Sequence, residues 1–126
     1  MVPLEASKLF CQLSPEELSA LRQIAQERGF GAGEKIFEEG DKGDGMYVVR
    51  DGSVEISTLV GPNVRRVFSR IAPGDMFGEM AVLDDKPRSA RAVALNETAA
   101  YFIDREDLLA LLRRSPALSQ SLLREI

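Results

Sequence analysis

The sequence contains no histidine, no tryptophan and a single cysteine, Cys11. Each absence closes a class of chemistry. Without histidine there is no Ser-His-Asp or Cys-His catalytic unit, and no imidazole to hold zinc or the metal of an enzymatic barrel. One thiol builds neither an iron–sulfur nor a thiolate zinc centre, and it closes no disulfide within the chain. A reducing, cytoplasmic setting is the expectation. Cys11 lies among Leu9, Phe10 and Leu13 and reads as a small core residue rather than a reactive thiol. No basic segment leads into a long apolar run at the N-terminus, so no secretory signal is read there, and no apolar run is long enough to span a bilayer. Carboxylates remain as possible acids and bases. The chain is expected not to be an enzyme.

What is present fits one globular domain over residues 1–126. Apolar residues make up 44% and charged residues 29%, the balance of a protein that buries a core. The net charge of -4 gives no general attraction to nucleic acid or to an anionic membrane, so no nucleic-acid contact is expected of this chain. Arg65, Arg66 and Arg70 read as a solvated strand face.

The texture along the chain is helix, short strands, helix. Ser14-Pro15-Glu16-Glu17 combines an N-cap serine, a proline at the first helical position and a capping-box glutamate. Leu18, Leu21, Ile24 and Ala25 follow at helical spacing, and Gly29 and Gly31 supply a stop, which predicts a helical segment over 1–28 with a shorter piece around Ala6 to Phe10. Residues 30–103 change to short apolar runs separated by turn residues, the rhythm of an antiparallel sandwich or barrel. Asp51-Gly52, between Met46-Tyr47-Val48-Val49 and Val54-Glu55-Ile56, predicts a two-residue hairpin. Val54, Ile56 and Thr58 are expected to share a core face, with Glu55 and Ser57 facing water. Ala90 to Leu95 and Thr98 to Ile103 are two late strands. Asp104 can cap a helix carrying Leu108, Leu111 and Leu112, and Ser115-Pro116 repeats the cap-plus-proline start.

One stretch breaks the strand rhythm: Phe77-Gly78-Glu79-Met80-Ala81, continuing to Pro87-Arg88-Ser89-Ala90. A short helix can begin near Gly78 and Ala81, and a helix start offers free backbone N–H groups to an anion. Arginine gives a phosphate two parallel charge-assisted hydrogen bonds. Glu79 is an acceptor suited to a sugar hydroxyl. Glu79 and Arg88 are equally able to form a plain ion pair across a loop, and their spacing leaves both readings open.

This stretch resembles the phosphate-binding cassette of the cyclic nucleotide-binding domain family, the sensor of cyclic-nucleotide-dependent kinases, gated channels and bacterial catabolite-activator-type regulators. The likeness runs in register through Phe77-Gly78-Glu79, Ala81 and Pro87-Arg88-Ser89-Ala90. Upstream, Gly40-Asp41, Gly45-Met46-Tyr47-Val48-Val49 and Asp51-Gly52-Ser53-Val54 resemble the family's early strands, and Pro73-Gly74-Asp75 resembles its turn into the cassette. The resemblance implies a mainly β fold with flanking helices: a double-stranded β-helix, jelly-roll-like, over about 30–103, with the cassette at 77–90 and hinge helices at 104–126. It implies a ligand-binding set of Gly78, Glu79, Met80, Ala81, Arg88, Ser89 and Ala90, in which Arg88 holds the cyclic phosphate and Glu79 accepts from the ribose 2′-hydroxyl. Ser89 serves either base, bonds the phosphate, or bonds its own backbone. The ligand expected is cAMP, with cGMP as the alternative.

Two features depart from the family. The base is usually capped from a last helix or a partner subunit, and here only Leu122 and Arg124 offer themselves. The helix-turn-helix of the family's transcription regulators is not found in this sequence. The expected role is therefore that of a receiver, whose transmitter lies beyond Ile126 or on another protein, with a homodimer through the C-terminal helix as one arrangement. The competing reading from another class is an interaction or oligomerisation domain that kept the fold and lost the ligand; the presence of both Glu79 and Arg88 argues against it.

Overall fold

The computed structural model describes residues 14–84, 86–116 and 119–120. The expected helix at Ala6 to Phe10, the core role of Cys11 and the capping candidates Leu122 and Arg124 lie outside these residues.

Helix α1 spans Pro15–Ile24 and starts as its sequence dictates. Ser14 Oγ accepts from the Glu17 N–H, and the Glu17 carboxylate accepts from the Ser14 N–H, closing the capping box. The helix ends earlier than expected. Residues Ala25–Phe30 form strand β1, which pairs antiparallel with a late strand from Ala25↔Ile103 to Phe30↔Thr98. Gln26, Glu27 and Arg28 are competent helix formers, but the ladder to a central strand overrides local propensity. The helical prediction over 1–28 and the glycine stop at Gly29 are corrected accordingly, and the β-roll begins at Ala25.

The remaining strands are β2 (Lys35–Phe37), β3 (Gly45–Asp51), β4 (Val54–Gly61), β5 (Val64–Ile71), β6 (Met76–Phe77), β7 (Arg91–Ala94) and β8 (Thr98–Asp104). A short helix α2 (Glu79–Asp84) follows β6, and α3 (Arg105–Arg114) follows β8. The strands form two antiparallel four-stranded sheets, ordered β1-β8-β3-β6 and β2-β7-β4-β5. Asp104 caps α3 through its carboxylate, which accepts from the Glu106 and Asp107 N–H groups, as expected of it.

The first sheet is buried on both faces. Tyr47, Val49 and Phe102 point between the sheets and pack with Val54, Phe77, Ala92 and Ala100. Their neighbours Met46, Val48 and Ile103 point the other way, onto Leu21 of α1, Val82 of α2 and Leu108 and Leu111 of α3. A strand covered on both sides reads as an unbroken apolar run, which is why Met46-Tyr47-Val48-Val49 shows no alternation.

Two local expectations fail for tertiary reasons. Asp51-Gly52 is not a hairpin, because β3 and β4 belong to different sheets. The turn is a crossover, latched to the other crossover at the same end: the Ser53 N–H donates to Asn96 Oδ1 at 2.9 Å and Thr98 Oγ1 donates to Ser53 O at 3.1 Å. In β4 the alternation breaks at a register shift between Ile56 and Ser57, and Ser57 is buried rather than exposed. Arg65 closes over it, bonding Ser57 O and Oγ and reaching Glu38 and Glu39. Arg66 and Arg70 are exposed, as expected of a solvated face, whereas Arg65 is a cross-strand clamp.

Gly45 shows how closely the elements meet. A Cβ there would fall inside contact distance of Ile103 O and the Phe102 ring, neither of which can yield without moving β8. Gly45→Ala is expected to lower the unfolding free energy by about 1–3 kcal/mol in urea denaturation; an unchanged midpoint would show that β3 and β8 are not packed at this distance.

Candidate functional site

The site grows from the break between β6 and β7. Gly78, at φ +80°, turns the chain from the end of β6 into α2, a conformation that L side chains rarely adopt. The loop after α2 is then tied to the turn following β2, where the Arg88 N–H donates to Asp41 O at 2.7 Å and the Gly40 N–H donates to Arg88 O at 2.8 Å. Those bonds fix the backbone that carries Arg88.

The side chain of Arg88 turns inward, and the residue is only 3% exposed. Nη1 donates to Gly78 O at 2.5 Å. Nη2 donates to Gly45 O at 2.5 Å and to the exposed carboxylate of Asp44 at 3.0 Å. Cζ lies over the Phe37 ring, 4.2 Å from its centroid. The third nitrogen, Nε, is buried without a hydrogen-bond partner. A buried donor left unbonded costs free energy.

Arg88 lines a cavity of about 290 Å³ that also carries Glu79 and Ser89. Its other wall is apolar, with Phe37, Ile56, Ile71 and Met76. All seven residues of the expected binding set border this cavity. Gly78 and Ala81 form its turn, Ala90 is buried, and Met80 and Ser89 are exposed. Ser89 O accepts from Thr58 Oγ1 at 3.4 Å, so its backbone is held while its side chain stands at the rim. Ala81 is pressed against the β2–β3 loop: a methyl on Gly43 would lie 2.5 Å from Ala81 Cβ.

Glu79 and Arg88 do not form the ion pair that their spacing allows; the carboxylate partner of Arg88 is Asp44. Burial pushes the Glu79 carboxyl above its ordinary value of 4.5, against the smaller opposing pulls of its own backbone N–H and of the Arg88 charge. A half-buried carboxylate held near a buried guanidinium but not neutralised by it is free to accept from a ligand hydroxyl. Sequence reasoning did not single out Phe37, Asp44 or the Gly45 carbonyl. Asp44 stands inside the glycine-rich turn that follows Gly40-Asp41, a signal for a loop but not for what the loop touches.

A jelly roll whose cassette lines an apolar cleft with one buried cation defines a binding module for a small anionic ligand with an apolar body. The comparisons identify the class further. The profile of the cyclic nucleotide-binding domain matches residues 27–115, and the chain belongs to that family. It is 38% identical over 119 residues to a cyclic AMP receptor protein of Thermus thermophilus, covering 94% of this chain and 55% of that one. A cAMP-dependent protein kinase regulatory subunit of Yarrowia lipolytica is 35% identical over 97 residues, 77% of this chain and 24% of that one. Among solved structures, the catabolite activator protein of Thermus thermophilus superposes with a TM-score of 0.86 at 39% identity, over 94% of this chain and 55% of that one. The regulatory domain of Toxoplasma gondii protein kinase A in complex with cAMP gives 0.79 at 30% identity, over 86% of this chain and 41% of that one. The chain thus spans about half the length of the Thermus relative. Among the described residues no helix is long and apolar enough to cross a membrane.

The raised Glu79 pKa has a sign that can be tested on the free protein. A carboxyl whose folded-state pKa lies above 4.5 favours folding when protonated and opposes it when charged, so its penalty appears as pH rises through that value. Glu79→Gln is expected to raise Tm near pH 7 and to leave it at the wild-type value near pH 3. Equal Tm values for the two proteins at neutral pH would contradict the buried-carboxylate assignment.

Proposed function

We propose that this chain is a cyclic-nucleotide sensor that binds cAMP in the cavity between α2 and β7 and transmits binding through α3. The observation that carries the reading is the buried guanidinium of Arg88, a residue that lines the cavity, with both Nη groups bonded to protein oxygens and Nε buried without a partner. A cyclic phosphodiester carries one negative charge. The one buried cation, Arg88, matches it, and the second cation on the cavity lining, Lys86, is exposed to solvent. Arg88 holds the phosphate, and the ribose 2′-hydroxyl donates to the Glu79 carboxylate. Ile56 and Ile71 form the apolar surface left for the base. Ser89 at the rim supplies a hydroxyl to phosphate or base, and cGMP is the alternative ligand that such a hydroxyl would favour.

Transmission follows from what α2 touches. Val82 of α2 packs in one cluster with Leu108 and Leu111 of α3. Arg105, at the start of α3, donates from Nε to Val82 O at 3.3 Å and from its backbone N–H to Asp44 O at 2.9 Å. A ligand that draws α2 toward Arg88 therefore pulls on the residues that seat α3. Only the difference in affinity between the two positions of α3 is passed on, typically 1–3 kcal/mol. The listener, another protein or a further segment, would read the position of that helix.

Titration calorimetry with cAMP and cGMP on wild type and Arg88→Leu tests the site. The substitution should weaken cAMP binding by at least ~2 kcal/mol, because the phosphate loses its charged partner. It should also lower Tm, since Gly78 O and Gly45 O lose their donor, so affinity is measured below the transition. Arg88→Lys keeps the charge, loses the fork and should fall between the two. Unchanged cAMP affinity in Arg88→Leu would refute the assigned pocket. In Glu79→Ala, which removes the acceptor, removing the ligand's 2′-hydroxyl should cost little more, because both changes delete one contact.

A further inference from the structure

We infer that Phe37 is a positioning residue for ligand binding, setting the orientation of the Arg88 guanidinium through its ring face. The inference rests on the reading of Arg88 as the phosphate-binding group. A guanidinium has two edges and two faces. The Nη edge is taken by Gly78 O, Gly45 O and Asp44, which fix where that edge points but allow the plane to rock about it. The Phe37 ring, 4.2 Å from Cζ, closes one face and removes that freedom. With plane and edge both fixed, the direction of the unpartnered Nε is fixed as well.

The ring is itself held. Phe37 packs against Tyr47 and Phe77 with centroid separations of 6.1 Å and 6.0 Å, and Tyr47 stacks on Phe77 at 4.9 Å. Strand β2 pairs with β7 through a register shift between Lys35 and Phe37, an irregularity of the kind that re-aims a side chain. Gly78 completes the fit. A Cβ there would lie 2.7 Å from Arg88 Nη1 and 3.3 Å from Phe37 Cε2, so ring and guanidinium converge on the space that a side chain would fill. The contact is also electrostatically favoured. Among the described residues Asp44 is the only carboxylate ion-paired to Arg88, and its side chain is 60% exposed and screened by water. The guanidinium over the ring is buried, and a cation–π contact is stronger when the cation is desolvated.

The test separates the electrostatics of the ring from its bulk. Phe37 is replaced in the full chain by mono-, di- and trifluorophenylalanine, which keep the shape of the ring and progressively drain its negative face, and cAMP affinity is measured by calorimetry. Kd is expected to rise stepwise, by about tenfold across the series. Packing alone predicts the opposite trend or none, because fluorination makes the ring more apolar. Phe37→Leu, which fills similar space without a face, is expected to lose at least as much. A flat or inverted series in a protein whose unsubstituted form binds cAMP overturns the positioning role and leaves the function standing. Failure of the unsubstituted protein to bind cAMP overturns both.

Discussion

The rest of the structure is arranged around one guanidinium taken out of water. An unpaired buried charge is among the most costly features a small domain can carry, and it persists only where oxygens and polarisable groups surround it. Arg88 is met by two backbone carbonyls, one carboxylate and one aromatic face, from three separate parts of the chain. Hydrogen bonds to a charged group contribute about 1.5–3 kcal/mol each, so these contacts offset much of the desolvation. They also dictate sequence elsewhere. Gly78 leaves room for Nη1, Gly45 lets its carbonyl approach against β8, and Gly43 lets the loop bearing Asp44 lie on Ala81.

The same crowding links the cavity to the helices. The first sheet turns Tyr47 and Phe102 toward the cavity side and Met46, Val48 and Ile103 toward α1, α2 and α3. Adjacent residues of one strand thus belong to two cores, and a close-packed strand does not let one core shift without loading the other. Asp44 stands at the junction, with its carboxylate on Arg88 and its carbonyl accepting from the first N–H of α3. Of the described helices α2 is the shortest, at six residues against ten in α1 and α3.

Much of this was legible in the sequence, and what was not has physical reasons. The expected residues that border the cavity were legible as a group because their turn, helix start and arginine lie within a dozen positions of one another, and helix caps at Ser14 and Asp104 are local devices with local signals. Strand β1 was hidden because an edge strand carries little alternation, and the identity of Ala25–Phe30 as strand depends on β8, some seventy positions later. The Asp51-Gly52 turn has the chemistry of a hairpin, but whether its two strands pair or diverge is decided by the Asn96–Thr98 turn against which it latches. Ser57 and Arg65 were misplaced for a related reason: a single register shift moves side chains to the opposite face of a sheet. Phe37 and Asp44 were invisible as partners of Arg88, since nothing in their neighbours announces the guanidinium that reaches them from residue 88.

The account turns on the free donor of that guanidinium. A crystal structure of the chain grown with cAMP tests it most directly. The account predicts a phosphate oxygen within hydrogen-bond distance of Arg88 Nε, the ribose 2′-oxygen on the Glu79 carboxylate, and the Phe37 ring still beneath the guanidinium. A nucleotide bound with its phosphate away from Arg88, or cAMP absent from the cavity at saturating concentration, would contradict it.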